Sequence, residues 1–154
     1  MQVISQCEVS HFRHKVTALV FNIMHGMLVI TVFIGCSAPD KIITLQKTAC
    51  LGPCPVYTLD IFSNREVSLA AGQFVEVGEG EFKMRLSKSQ FDDIKQQFEE
   101  SGFFSFENQY RTQGTDLPTV FLTFRDGNVS KTIELYGSGP ETLKKLASTL
   151  QQLI

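Results

Sequence analysis

From residue 41 onward, apolar and polar positions alternate in short runs, interrupted by two longer stretches in which apolar residues recur every three or four positions. Lys41–Ala49 is rich in Ile and Thr and predicts a first strand. Tyr57-Thr58-Leu59-Asp60-Ile61 alternates strictly, the pattern of a half-buried strand. Val67–Val77 predicts a third strand, with a bend at Gly72. Phe82, Met84 and Leu86 alternate with Glu81, Lys83 and Arg85, the clearest two-residue period in the chain. Val120, Leu122 and Phe124 predict a further strand, and Val129, Lys131, Ile133 and Leu135 its partner. Turn residues separate these runs: Ser63–Glu66, Gly78-Glu79-Gly80, and Asp126-Gly127-Asn128, which is a hairpin signal.

The two longer stretches predict helices. Ser87 followed by Gln90 matches a capping box, Phe91, Ile94 and Phe98 line one face, and Gly102 closes the helix. Ser138 with Glu141 matches a second capping box, with Pro140 in the first turn, where its missing N–H costs little. There Leu143, Leu146, Ala147, Leu150, Leu153 and Ile154 share the face expected to meet the core. Between the helices, Phe103 to Pro118 shows no regular period and predicts a long loop, the kind of segment that often carries function.

This order, β-β-β-β-α-β-β-α, predicts an α+β fold: a mainly antiparallel sheet of about six strands, with two helices packed on one face and the other face wet. No repeat at a fixed period is present.

The first 35 residues differ in character. Residues 1–15 are polar and end in Arg13-His14-Lys15, and Val16 to Gly35 is almost wholly apolar. A basic region before an apolar one predicts a secretory signal. It closes on Gly35-Cys36-Ser37, which resembles a bacterial lipobox, with Phe33 where Leu is usual. That resemblance implies cleavage before Cys36 and lipidation of its thiol, with acyl chains such as palmitate as the membrane anchor. The alternative is a single uncleaved N-terminal transmembrane helix, for which twenty residues suffice. On either reading the remainder is exported. Ser37 after the lipidated position implies sorting to the periplasmic side of the outer membrane if the source is Gram-negative. Residues 36–40 then form a short tether, reaching at most about 14 Å, and 41–154 a single domain held near the membrane surface of the cell envelope.

Composition is that of an ordinary globular chain: 43% hydrophobic and 19% charged, with 13 Phe and no Trp. Removing Arg13, Lys15 and Glu8 with the signal leaves twelve basic side chains against fifteen acidic ones. No basic stripe is present, so nucleic acid is not an expected partner.

Of the 4 Cys, Cys7 lies in the signal and Cys36 takes lipid. Cys50 and Cys54 remain, an even pair in an oxidising compartment. The first reading is a disulfide that staples the loop between the first two strands, stabilising by about 2 kcal/mol because the closed loop is short. Gly52 and Pro53 allow the loop to curl. A second reading is thiol–disulfide exchange, weakened because no helix follows to lower a thiol pKa. A third is a Cu(I) chaperone, since Cys-x-x-x-Cys-Pro is similar to the motif of periplasmic copper chaperones and thiolates suit Cu(I).

Those chaperones also use a downstream His, and here all 3 His fall within residues 1–35. The exported domain therefore lacks a Ser-His-Asp triad, a Cys-His dyad and any histidine metal centre. No catalytic residue, metal ligand or cofactor is expected. Glu76, Glu79 and Glu81 form an acidic run that reads as a solvated turn, the alternative being a weak divalent-cation site. Tyr57, Tyr110, Arg111 and Asp116 are the candidates for contact with a small ligand or an envelope protein. Arg111 and Tyr110 suit a carboxylate or phosphate, although surface hydrogen bonding is the simpler reading of them. Asp116, two residues before Pro118, suits a turn better than an acid catalyst. The Phe103-Phe104-Ser105-Phe106 cluster predicts core beneath the long loop, or else a partner-binding patch.

From Cys50 to the C-terminus the chain resembles the bacterial domain-of-unknown-function family 6438. The resemblance rests on Cys50, Gly52, Cys54, Pro55 and Tyr57, then Gly102-Phe103-Phe104, then Thr115-Asp116-Leu117-Pro118-Thr119. It implies a small exported domain, often behind a lipoprotein signal, and no assigned activity. The reading that results is a lipid-anchored envelope protein acting as a binding or structural module.

Overall fold

The structure, a computed structural model, describes residues 38–154. The expected signal, the expected lipidation position Cys36 and Ser37 of the expected tether lie outside the described residues. Pro39–Ile154 forms one compact unit.

Seven strands form one sheet: β1 (Lys41–Lys47), β2 (Tyr57–Phe62), β3 (Glu66–Ala71), β4 (Gly80–Arg85), β5 (Gln109–Arg111), β6 (Thr119–Asp126) and β7 (Val129–Tyr136). Helix α1 spans Lys88–Glu100 and α2 spans Glu141–Gln151. The strand order across the sheet is β4-β3-β2-β1-β6-β7-β5. Every pairing is antiparallel except β5 with β7. The α+β class and the mainly antiparallel sheet are thus as the alternation predicts, with seven strands in place of about six.

Register explains the core. Leu45 stands between Leu59 and Leu122, which continue to Leu69 and Ile133. Ile43 stands between Ile61 and Phe124, and Ile61 continues to Val67. Because side chains alternate across a strand, these rows share one face. Ile94 and Phe98 of α1 and Leu143, Leu146, Ala147 and Leu150 of α2 complete the same buried cluster. Both helices therefore cover that face. The other face carries polar rows such as Asp60–Thr44–Thr123–Thr132. There Thr44 Oγ1 donates to Asp60 Oδ1 at 2.6 Å, and Lys41 pairs with Asp60 at 2.7 Å.

The aromatic cluster lies under the long loop, as core. Phe103 is buried, and its ring centroid is 5.4 Å from Phe98 and 5.9 Å from Phe124. Phe104 is partly exposed while stacking 5.6 Å from Phe124.

Four sequence expectations change in detail. The first strand ends at Lys47, not at Ala49. The third ends at Ala71: after one more pair of cross-strand bonds, Gly72 N to Val56 O and Val56 N to Gln73 O, Phe74 takes φ +61° and the chain turns away. The loop from Phe103 to Pro118 contains a 3-10 turn at Phe103–Ser105 and the short strand β5. The capping box at Ser87 and Gln90 forms with both bonds present, whereas Ser138 does not cap α2. Pro140 holds the cap position, and no side chain caps it. Gly139 at φ +148° separates Ser138 from the helix, and a residue before proline avoids the helical region.

Candidate functional site

The chemically distinctive residues gather at the end of the sheet where β1 leaves it. Pro53 and Pro55 have no N–H for a ladder, so pairing stops after Lys47 and resumes at Tyr57. The intervening loop is closed by a Cys50–Cys54 disulfide, with Cα atoms 5.7 Å apart. Cys54 N donates to Gly52 O at 2.9 Å, which tightens the curl. Gly52 takes φ +140°, a conformation that a Cβ disfavours.

One segment, Thr112–Thr119, meets this loop. Leu51 N donates to Asp116 O at 3.3 Å. Thr48 and Thr119 clamp one another: Thr48 N donates to Thr119 O at 3.0 Å, and Thr119 N to Thr48 Oγ1 at 3.0 Å. Tyr136 OH donates to Gly114 O at 3.0 Å and accepts from Leu117 N at 3.4 Å. The segment Thr112–Pro118 is thereby tied on one side to the cystine loop and on the other to β7.

The remaining candidates are held by neighbours. Tyr57 is buried in the core, and its hydroxyl accepts from Gln151 Nε2 at 3.0 Å. Burial pushes this phenol above the ordinary tyrosine value, and the hydrogen bond from Gln151 opposes part of the rise. Tyr110 packs partly buried against the core, and its hydroxyl accepts from Glu107 N at 3.0 Å. Arg111 binds Glu134 Oε1 through Nη2 at 2.7 Å and Nε at 3.1 Å, and lies 5.5 Å from the centroid of the Tyr136 ring. The Arg111 bond holds the Glu134 carboxyl below the usual glutamate range, with help from Gln109. Asp116 takes φ +67° in a bend and meets the cystine loop through its carbonyl. The structure brings Cys50, Cys54 and Asp116 into one rim; Tyr110 and Arg111 lie beyond it on β5.

Concave surface opens beside this rim. One hollow of about 270 Å³ is walled by Leu117, Pro118, Val120 and Leu135, with Lys47, Ser138 and Lys144 as its polar members. Another of about 460 Å³ lies between Pro55, Tyr57, Phe74 and Val75, with Lys47, Glu76 and Gln151 at its margin. Lys47 is common to both. It stands in the core-facing row between Tyr57 and Val120, and makes no ion pair among the described residues. Sequence reading passed over it, yet parity marks it: Ile43 and Leu45 are buried, and Lys47 is the next residue on their side of the strand.

Among the described residues, no group of three or more His, Cys, Asp or Glu side chains is placed to hold a metal ion, and no helix is long and apolar enough to cross a membrane. The acidic run Glu76, Glu79 and Glu81 is exposed.

A two-layer α+β domain with both helices on one face, and with a cystine closing the loop between its first two strands, is the class of protein defined here. The model of one family, Domain of unknown function (DUF6438), matches residues 41–154, and the chain belongs to that family. No curated protein matches the sequence.

Proposed function

We propose that this is an exported binding module, anchored through lipid on Cys36 at the surface of an envelope membrane, whose cystine is a structural staple and whose ligand is a small acid with an apolar body. The observation that carries the ligand reading is Lys47. It is a cation without an ionic partner among the described residues, set among core-facing side chains and shared by two apolar hollows. Lys47 is half-buried, so a ligand that covers it must bring an anion to offset the water it displaces. Hollows lined mainly by apolar groups with a few polar ones suit small ligands. The staple reading is supported by the docking of the cystine loop onto Asp116, and by the strand, not a helix, that follows Cys54.

The test uses the full chain in lipid nanodiscs, titrated with benzoate and, as its neutral counterpart, benzyl alcohol. Saturable amide shifts at Val120 and Gly137 are expected for benzoate, weakened about tenfold or more in Lys47→Met and retained in Lys47→Arg. Equal response to the alcohol, or none to benzoate, defeats the ligand reading. In the source cell, labelled palmitate is expected to enter the wild-type chain and not Cys36→Ser, which should stay in the membrane fraction as the longer, uncleaved precursor. Differential alkylation is expected to find Cys50 and Cys54 oxidised throughout. A pair that cycles between thiol and disulfide points instead to exchange chemistry, and stoichiometric Cu(I) uptake by the reduced domain to metal delivery.

A further inference from the structure

Strand β4 forms one edge of the sheet and bonds only to β3. All six of its residues are exposed. Leu86 N donates to Arg65 O at 3.0 Å. Since hydrogen-bonded pairs alternate along an antiparallel ladder, the peptide groups of Met84 and Phe82 face β3, and those of Arg85, Lys83 and Glu81 point out of the sheet. An open row of donors and acceptors is a template for another strand. The opposite edge, β5, has only three residues and offers no comparable row.

The side chains on this edge are also unspent. Phe82 and Met84 continue the core-facing rows of Leu69 and Val67, but the helices stop short of them and they remain 38% and 40% exposed. Among the described residues Glu79, Glu81 and Arg85 make no ion pair, and Lys83 has only Glu66 at 3.5 Å.

The sequence Glu79-Gly80-Glu81-Phe82-Lys83-Met84-Arg85 is self-complementary about Phe82. Laid antiparallel on a second copy with Phe82 opposite Phe82, it places Glu81 opposite Lys83 and Glu79 opposite Arg85, each twice by symmetry. The flexible Met84 falls opposite Gly80. In that register the pairs at odd positions are those whose peptide groups point outward, so backbone hydrogen bonds and charge pairs are satisfied together. The Phe82 pair then occupies the closer, non-hydrogen-bonded position, where cross-strand side chains touch. Centring the pairing on Lys83 instead sets that ammonium against itself.

We infer that two copies of this chain pair through β4 about a twofold axis at Phe82, joining their sheets into one of fourteen strands. The interface is isologous, the form that closed dimers take.

The test is the oligomeric mass of the full chain in detergent, together with cysteine crosslinking in the membrane. The wild type is expected to be dimeric. Glu81→Lys, which creates two like-charge contacts, is expected to weaken the dimer about tenfold or more, and Glu81→Lys with Lys83→Glu to restore it. Phe82→Cys is expected to crosslink on oxidation and Lys83→Cys not to, since only residue 82 meets its own copy. All of these positions are exposed, so circular dichroism of each variant should match the wild type. A monomer at every concentration, a dimer indifferent to Glu81→Lys, a double variant that stays monomeric, or crosslinking that favours residue 83 would overturn the inference.

Discussion

The amide of Leu51 reaches across to the carbonyl of Asp116 at 3.3 Å, joining two loops 65 positions apart in the chain. Leu51 itself is 83% exposed, so its side chain contributes nothing to holding the contact. What presents the amide is the curl closed by Cys50 and Cys54.

Replacing both cysteines by serine is therefore expected to act locally. The closed loop is short, so the loss of stability is about 2 kcal/mol, measured by urea unfolding. Amide exchange should quicken at Leu51 before it changes in β1 or β2. A much larger loss, or unfolding of the sheet, would mean that the cystine supports the core directly.

Gly137 supplies a sharper local test. It takes φ +64°, and a Cβ there would lie 2.5 Å from Leu117 Cδ1 and 2.6 Å from Thr112 Cγ2. Gly137→Ala is expected to cost about 1–2 kcal/mol, chiefly left-handed backbone strain, with a smaller addition for turning aside the exposed ends of Leu117 and Thr112. Gly127 in the β6–β7 turn has φ +55° but open space around its missing side chain. Gly127→Ala should then cost only about 1 kcal/mol. Thermal unfolding of the two variants separates the crowding from the backbone effect.

The contrast between these glycines marks what a sequence can display. Alternation at Leu59 and Ile61 and the helical spacing of Leu143, Leu146 and Leu150 carry the fold class, because each rests on neighbours within one element. The cap at Ser87 is equally local and forms. Strand β5 is not local. Gln109-Tyr110-Arg111 is too short to show a period, and it is a strand only because β7, more than twenty residues later, offers a parallel edge. Ser138 fails as a cap because Gly139 and Pro140 intervene. Phe82 and Met84 have the best alternation in the chain yet stay partly uncovered, since pattern tells which face a residue is on and not whether a helix reaches it. Lys47 hides for the same reason: its place is defined by Tyr57 and Val120 on other strands.

Tyr57 makes the alkaline limb of stability predictable. Its phenol in the folded chain titrates above the ordinary value of 10.0 because burial disfavours the charged form. The fold's preference for the neutral phenol is thus fully present below that value. It is lost as pH climbs from there through the higher folded value, because the unfolded chain ionises first. Tyr57→Phe is expected to cost about 1 kcal/mol at neutral pH, through loss of the bond from Gln151, and to flatten the decline above about pH 10. Denaturant midpoints across the alkaline range check both.

Arg111 and Glu134 test whether β5 is pinned by charge or by backbone. The Glu134 carboxyl is held low chiefly by the Arg111 bond, and secondarily by Gln109. A lowered folded value favours the fold above the unfolded carboxyl's range, and that advantage fades as pH falls through the folded value. In Arg111→Ala the Glu134 midpoint, followed by carboxyl-carbon NMR, is expected to rise toward the ordinary value without fully reaching it, because Gln109 remains. The pair is at the surface, so salt near 1 M, where screening acts within about 3 Å, should raise the wild-type midpoint in the same direction. Strand β5 itself should persist, since Thr112 N still donates to Tyr136 O at 3.0 Å and Glu134 N to Asn108 O at 2.9 Å. Loss of amide protection at Tyr110 in Arg111→Ala would instead show that the guanidinium holds this edge of the sheet in place.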